Sequence, residues 1–365
     1  MRDTEWKLYH TAAEAWDAMY EDCKKAVKCI DFDQYIFEPD NIGRKFIELF
    51  LEKAKAGVKI RIICDAVGSS SLNKSRYVKV LKQAGIEIIF FNPISPWRFD
   101  TFTTWFYRNH KKILVVDSII GQTGGVGLND RMKNWRDTHV RVVGPVVSAM
   151  SAAFEGMLQI AKNRKFSAFS TVTNRSHDFQ FITSSPILRP VSSLFKESWS
   201  LRDVYLDAIR GAQKFAYLTT PYFVPDLRFF RALRLAAKRG VDVRLLLPAT
   251  SDHRSLDIAN ASYFGLALKF GIKIYKFREA VLHAKTAVVD DEWATVGSAN
   301  LDNLSFRFNY EANVVSNSLT FNKELKESFL NDLKKSDEVT LDNWKRRPLK
   351  DKILELIIWP IHSIM

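Results

Sequence analysis

His110-Lys-Lys-Ile-Leu-Val-Val-Asp117 and His283-Ala-Lys-Thr-Ala-Val-Val-Asp290 are two copies of one pattern, His-x-Lys-x4-Asp. A turn of small residues stands downstream of each copy, Gly124-Gly-Val-Gly127 and Gly297-Ser-Ala-Asn300. Ile113–Val116 and Thr286–Val289 are apolar and partly β-branched, which predicts buried strands. Residues two apart on a strand share a face, so His110 would project with Lys112 and His283 with Lys285. Asp117 and Asp290 would end their strands at polar turns. Second strands are expected at Ile119–Thr123 and Trp293–Val296, and the glycines and serine after them let backbone N–H groups approach an anion. A single histidine on a strand is usually structural. A histidine, a cation and an anion-cradling turn, each present twice, suit transfer of a phosphodiester through a phosphohistidine.

The repeat extends outward. Thr11-Ala-Ala-Glu14 has the form of a capping box and opens a helix to about Lys25. A strand at Val27–Phe32 and Tyr35-Ile-Phe-Glu-Pro-Asp40 follow. The second half answers with a helix from Ser200-Leu-Arg-Asp203, a strand at Lys214–Thr219 and Pro221-Tyr-Phe-Val-Pro-Asp226. Matching helices (Gly43–Ala56, Leu227–Arg239) and strands (Val58–Cys64, Val241–Leu247) come next. The expected organisation is a duplicated α/β chain, each half a mixed sheet flanked by helices. The first half runs over 1–165 and the second over 166–345, with polar residues 163–177 as linker and 346–365 as a tail.

Arg108-Asn-His-Lys-Lys-Ile, Trp135-Arg-Asp-Thr-His139, Thr220-Pro-Tyr-Phe-Val-Pro-Asp226 and Gly297-Ser-Ala-Asn-Leu-Asp302 carry a family resemblance over nearly the whole chain. The sequence resembles the phospholipase D superfamily, specifically the bacterial cardiolipin synthases. Among them it looks most like the B form, which lacks the transmembrane helices of other members. The resemblance implies an active site at the interface of the halves, with no metal and no cofactor. It implies His110 as nucleophile, and His283 as acid for the leaving group and then base for the incoming hydroxyl. Lys112, Lys285, Ser298 and Asn300, with the turn at Gly125, would hold the phosphate oxygens. Glu311, 28 residues after His283, would orient that ring, and Asp137, 27 after His110, would orient the other. The motif aspartates Asp117 and Asp290 would brace the motifs rather than react. One departure stands out: Gly127 occupies the position equivalent to Asn300, and whether Asn129 substitutes is open. His139 is compatible with a place in the site or in a strand. Asp65 with Gly68-Ser69 resembles a family loop near the site.

The 365 residues carry 54 Lys and Arg against 41 Asp and Glu, a net charge of +13, which favours an anionic partner. The three cysteines form no CxxC and no disulfide framework. The opening residues lack a signal-peptide core, and no run approaches the roughly 20 apolar residues that cross a bilayer. Before His110 the first half carries about 13 extra residues, rich in aromatics and including Trp97, Phe99, Trp105 and Phe106. These could bed into lipid headgroups, stack on nucleic-acid bases or pack in the core. The basic stretch Trp344–Lys352 precedes the apolar Ile353–Ile361 with Trp359, which fits either an interfacial anchor or a docked helix. The expectation is a peripheral enzyme on the cytoplasmic face of the cell membrane, acting on phosphatidylglycerol, with nucleic acid an unlikely partner and no obligatory protein partner. The alternatives are a phospholipase D releasing phosphatidic acid, a metal-independent nuclease of the same superfamily, and a catalytically idle lipid-binding module.

Overall fold

The computed structural model describes residues 4–94, 105–163, 178–186, 200–350 and 352. The first half runs β1 (Glu5–Thr11), α1 (Ala12–Lys25), β2 (Cys29–Gln34), α2 (Asn41–Lys55), β3 (Lys59–Asp65), α3 (Ser70–Asn73), α4 (Tyr77–Gln83), β4 (Glu87–Phe91), β5 (Arg108–Asn109), β6 (Ile113–Val116), β7 (Ile120–Gly124), β8 (Arg136–Val143) and α5 (Val146–Asn163). The second runs β9 (Phe179–Ser184), α6 (Leu201–Gly211), β10 (Phe215–Thr219), β11 (Phe223–Val224), α7 (Leu227–Lys238), β12 (Asp242–Pro248), α8 (Arg254–Lys269), β13 (Lys273–Phe277), β14 (Thr286–Val289), β15 (Trp293–Gly297), β16 (Leu301–Asp302), α9 (Asn303–Arg307), β17 (Asn309–Ser316), α10 (Leu319–Leu333), β18 (Ser336–Val339) and α11 (Leu341–Lys345).

One sheet has the order β1-β8-β7-β6-β2-β3-β4; the other runs β18-β13-β12-β10-β14-β15-β17-β5, with β9 also on β17. The parallel trios β2-β3-β4 and β10-β12-β13 are counterparts, and each motif strand joins its trio antiparallel. The duplication reaches further than the motifs suggested. Each half opens with an edge strand lying antiparallel on its own last long strand, β1 on β8 and β9 on β17. Thr11 and Ser200 both form complete capping boxes at the helices that follow.

The motif strands are buried on both faces. Leu114 and Val116 pack under α1 and α2, while Ile113 and Val115 join a core shared with Val288, Val296 and Val314 of the second half. Ala287 and Val289 turn the other way, against α6 and α7. Burying such side chains contributes on the order of 1.5–3 kcal/mol each, so the interface between the halves is itself a core.

Asp117 and Asp290 end the motif strands in the left-handed region, at φ 54° and 53°. Asp117 accepts from the N–H groups of Val27, Lys28 and Cys29 at 2.7–2.9 Å. Asp290 accepts from Gln213, Lys214 and Phe215 at 2.6–2.9 Å. Each carboxylate thus closes the turn into the neighbouring strand, at the end of its own strand remote from the histidine. Asp117→Ala should lower stability by about 1–3 kcal/mol, read from urea midpoints, and keep turnover per folded molecule near wild type. A large loss of turnover at unchanged stability would return the aspartate to the chemistry.

Candidate active site

The chain entering each histidine leaves its own sheet. Arg108 and Asn109 of β5 pair in parallel with Asn309 and Tyr310 of β17, and the His110 N–H donates to the Tyr310 carbonyl at 3.0 Å. In the other copy Leu282 bridges Arg136 in parallel, and the His283 N–H donates to the Arg136 carbonyl at 2.8 Å. Neither histidine nor its lysine therefore lies on a regular strand; β6 and β14 begin just after Lys112 and Lys285.

The residues that follow Tyr310 and Arg136 are Glu311 and Asp137. His110 Nδ1 lies 2.9 and 3.0 Å from the two Glu311 oxygens, and His283 Nδ1 lies 2.8 Å from Asp137 Oδ2. This reverses the pairing expected from spacing, in which each acid served the histidine of its own half. The reason is the exchange of backbone partners: each histidine is seated on the other half's strand, one residue before that strand's acid.

Burial works to raise both carboxyls. Their histidines, followed by Lys112 and Ser298 at Glu311 and by Lys285 and Thr138 at Asp137, outweigh it and leave both below the usual range. Ionised carboxylates only accept, so each Nδ1 carries the proton and each Nε2 keeps its lone pair. Burial pushes the His110 imidazolium down to about 4 against the opposing pull of Glu311, and lowers His283 as well, with Lys285 adding to burial there. Lys112 Nζ donates to the His110 carbonyl at 2.7 Å, and Lys285 Nζ donates to that of His283. Burial brings these ammonium groups down to about 7 and about 8.

Ser298 does not offer its hydroxyl to the cleft. It is buried, donating to Glu311 Oε2 at 2.5 Å and accepting from the Ala312 N–H at 3.0 Å, so it supports the acid rather than a phosphate. Gly125 is its counterpart. A Cβ there would lie 2.2 Å from Asp137 Oδ1, so glycine leaves room for the carboxylate behind His283. Asn300 lines the cleft. Asn129 does not replace it in the first half, because its side chain accepts from the Arg131 N–H and caps the short turn Asp130–Met132. His139 is a buried residue of β8 behind the site, pushed down to about 4 by burial. Asp65 sits beneath the cleft, accepting from the Val67, Gly68 and Asn109 N–H groups and pairing with Arg108 at 3.2 Å. Arg108, which also lines the cleft, is thereby tied to protein groups.

One cleft of about 540 Å³ holds both histidines, Lys112, Gly125 and Asn300, with Trp105 and Phe106 at its wall. Trp97, Phe99 and Trp359 lie outside the described residues. Sequence reading missed Tyr35, whose ring meets His110 edge-on at 4.8 Å, and Trp135, tilted at 5.2 Å to His283. It also missed Tyr222, Asp252 and His253 on the cleft wall. Trp135 and Tyr222 stand within the stretches that carry the resemblance, but nothing in their spacing marks them as neighbours of a ring.

Two imidazoles sharing a cleft, each with a free Nε2, a fixed Nδ1–H and a lysine alongside, can supply one phosphorus with a nucleophile and, once the other ring gains a proton at Nε2, with a proton donor. Fold and site together define an enzyme of the phospholipase D-like class. The family model described as "Cardiolipin synthase, PLD-like domain" matches residues 19–158 and 205–333. Cardiolipin synthase 1 of Bacillus cereus is 35% identical over 96% of this chain and 71% of its own. The major cardiolipin synthase ClsA of Bacillus subtilis is 33% identical over 94% of this chain and 72% of its own. The crystal structure of phosphatidylserine synthase from Haemophilus influenzae superposes with a TM-score of 0.71 at 13% identity, over 98% of this chain and 93% of that one, which shows the shared fold. The chain belongs to the cardiolipin synthase family of phosphatidyltransferases. No helix among the described residues is long and apolar enough to cross a membrane.

Glu311→Gln should disturb the Nδ1 resonance and tautomer of His110, seen by ¹⁵N NMR, and leave His283 unchanged; the reverse result would contradict the crossed pairing. The lysine shifts predict a pH effect of definite sign. A lowered ammonium loses its proton at lower pH, so the free site loses positive charge as pH rises through about 7 to 8. Inhibition by inorganic phosphate or vanadate should therefore weaken between these values, and inhibition that strengthens or stays flat would argue against the lysines as its anion holders.

Proposed function

We propose that this protein is a cardiolipin synthase that transfers a phosphatidyl group from one phosphatidylglycerol to another through a phosphohistidine and releases glycerol. The observation that carries the reading is the pair of imidazoles in one cleft, each oriented by a carboxylate from the opposite half. His110 Nε2 attacks phosphorus while His283, which takes up a proton at Nε2 as the anionic phosphodiester binds, gives that proton to the departing glycerol oxygen. The headgroup hydroxyl of the second lipid then gives its proton to His283, attacks phosphorus and frees His110. Lys112 and Lys285 hold the non-bridging oxygens, where an ammonium in a poorly solvated site stabilises the developing charge more than it would in water.

The membrane reading draws support from the net charge of +13 and from Ile94 and Phe106 at the cleft, 58% and 57% exposed beside Trp105. The enzyme would work from the cytoplasmic face as a peripheral protein, with anionic phospholipid as its partner. Hydrolysis to phosphatidic acid is the second reading, because water reaching the phosphohistidine needs the same machinery.

Phosphatidylglycerol vesicles incubated with the protein in EDTA should yield cardiolipin and glycerol by mass spectrometry. His110→Ala should lose about 10³-fold or more of this activity. Phosphatidic acid alone would make the protein a hydrolase, and phosphodiesterase activity on nucleic acid without any lipid product would sink the lipid reading.

A further inference from the structure

The two halves match closely around the motifs, and one of the places where they part is on the cleft wall. Phe37 bridges Leu128 in parallel as Phe223 pairs with Leu301, so Ile36 and Tyr222, one residue earlier, are counterparts. Cys29 and Phe215 occupy equivalent positions below the motif aspartates and pair with Lys59 and Asp242. Counting on from those pairs puts Asp252 level with Ser69 along the chain, though not in the same contacts. The Ser69 hydroxyl is engaged by the backbone, donating to the Tyr35 carbonyl at 2.9 Å and accepting from the Phe37 N–H at 3.0 Å. In the second half Asn260 makes these backbone bonds instead, its Oδ1 accepting from the Phe223 N–H at 2.6 Å and its Nδ2 donating to the Pro221 carbonyl at 3.2 Å, and Asp252 is left to accept from the Tyr222 O–H.

This pair is not needed to close its own turn. Ser251 already does so, donating its N–H to the Asp257 carboxylate at 3.2 Å and its hydroxyl to the His253 carbonyl at 3.1 Å. The Asp252 side chain is 17% exposed, with Oδ2 3.6 Å from His253 Nε2, and it lines the cleft with both motif histidines. Its charge is felt by His283 and Lys285. A carboxylate in a cleft that must hold a phosphodiester repels that anion, an unfavourable choice unless it binds something else. A hydroxyl is what a carboxylate recognises by accepting, and such charge-assisted bonds are among the stronger ones.

We propose that Asp252, held in place by Tyr222, is the subsite for the acceptor alcohol: its carboxylate accepts from the hydroxyls of a polyol of the glycerol-headgroup class and presents one of them to His283 Nε2. The inference rests on the transferase reading. The presented hydroxyl passes its proton to His283, its oxygen forms the new bond to phosphorus, and the P–Nε2 bond to His110 breaks with its electron pair returning to the ring. A phosphodiester and an alcohol enter, a phosphodiester and the released glycerol leave, and no other reactant is needed. A polyol held this way outcompetes both water and a simple alcohol for the phosphohistidine.

The test is an internal competition. Phosphatidylglycerol in mixed micelles is incubated with equal concentrations of deuterated glycerol and 1-propanol, and the ratio of deuterated phosphatidylglycerol to phosphatidylpropanol is read by mass spectrometry. Both products form in one tube, so the ratio does not depend on how much enzyme is folded. The wild type should favour glycerol. Asp252→Asn should shift the ratio toward propanol about tenfold, the size expected for one charge-assisted hydrogen bond. Tyr222→Phe should shift it the same way by less, and it decides the matter if Asp252→Asn does not fold. Equal use of the two alcohols by the wild type, or an unchanged ratio in the variants, overturns the proposal. Phosphatidic acid with neither alcohol product, from the wild type, would instead overturn the transferase reading and this subsite with it.

Discussion

The site depends on an exchange of backbone partners. Two residues before His110 join β17, and Leu282 joins the start of β8, both in parallel register. Parallel pairing sets which residue follows the contact, and here it is an acid in both cases, Glu311 and Asp137. The catalytic geometry is thus a consequence of main-chain hydrogen bonds between halves. Neither half can orient its own histidine. The shared core of Ile113, Val115, Val288, Val296 and Val314 keeps the two sheets in the register that these short pairings require.

The same closure explains the electrostatics. One imidazole, two lysines and two carboxylates are buried together beside the partly buried His110, and the layer beneath adds Asp33 and Lys111, with Asn109 Nδ2 donating to Asp33 at 2.5 Å. Burial alone would neutralise all of these groups. It prevails at the imidazoles, weakens the ammonium groups and pushes Asp33 up to about 7, while Glu311 and Asp137 stay ionised because cations and donors surround them. The free site is therefore primed: a neutral ring to attack, and a second ring and lysines whose lost proton affinity returns when an anion arrives beside them.

Much of this was legible in the sequence. Local patterns placed β6 and β14, both capping boxes and the polar turns at Asp117 and Asp290, because helix starts and strand ends are written in neighbouring residues. The crossing of the acids was not legible. Asp137 and Glu311 stand at nearly equal distances from their own histidines, so spacing favours the pairing within each half. Only a contact between residues about two hundred apart reveals the other arrangement. Ser298 misled for a related reason. A serine in a glycine-rich turn reads as an anion contact, and its burial behind Glu311 depends on a strand that pairs beside it. The edge strands β1 and β9 escaped notice because neither resembles the other in sequence, although each covers the same edge of its half.

The near-symmetry of the site conceals a chemical difference between its halves. Behind His110 stands the longer acid, with both oxygens on Nδ1 and a serine hydroxyl bound to one of them. Behind His283 stands the shorter one, with one oxygen on the ring, the other accepting from the Thr138 N–H at 2.7 Å, and a glycine where the serine would be. A side chain at Gly125 would strike Asp137, so neither arrangement can be exchanged for the other by a single substitution. Each acid is held by its ring and by the field of a motif lysine, Lys112 at Glu311 and Lys285 at Asp137, and the two differ in the further donor, the Ser298 hydroxyl for Glu311 and the Thr138 N–H for Asp137. Unequal support of two rings facing one phosphorus is what a reaction with one nucleophile and one acid–base requires, and the carboxylate of Asp252 on the His283 side extends the same inequality to the cleft wall.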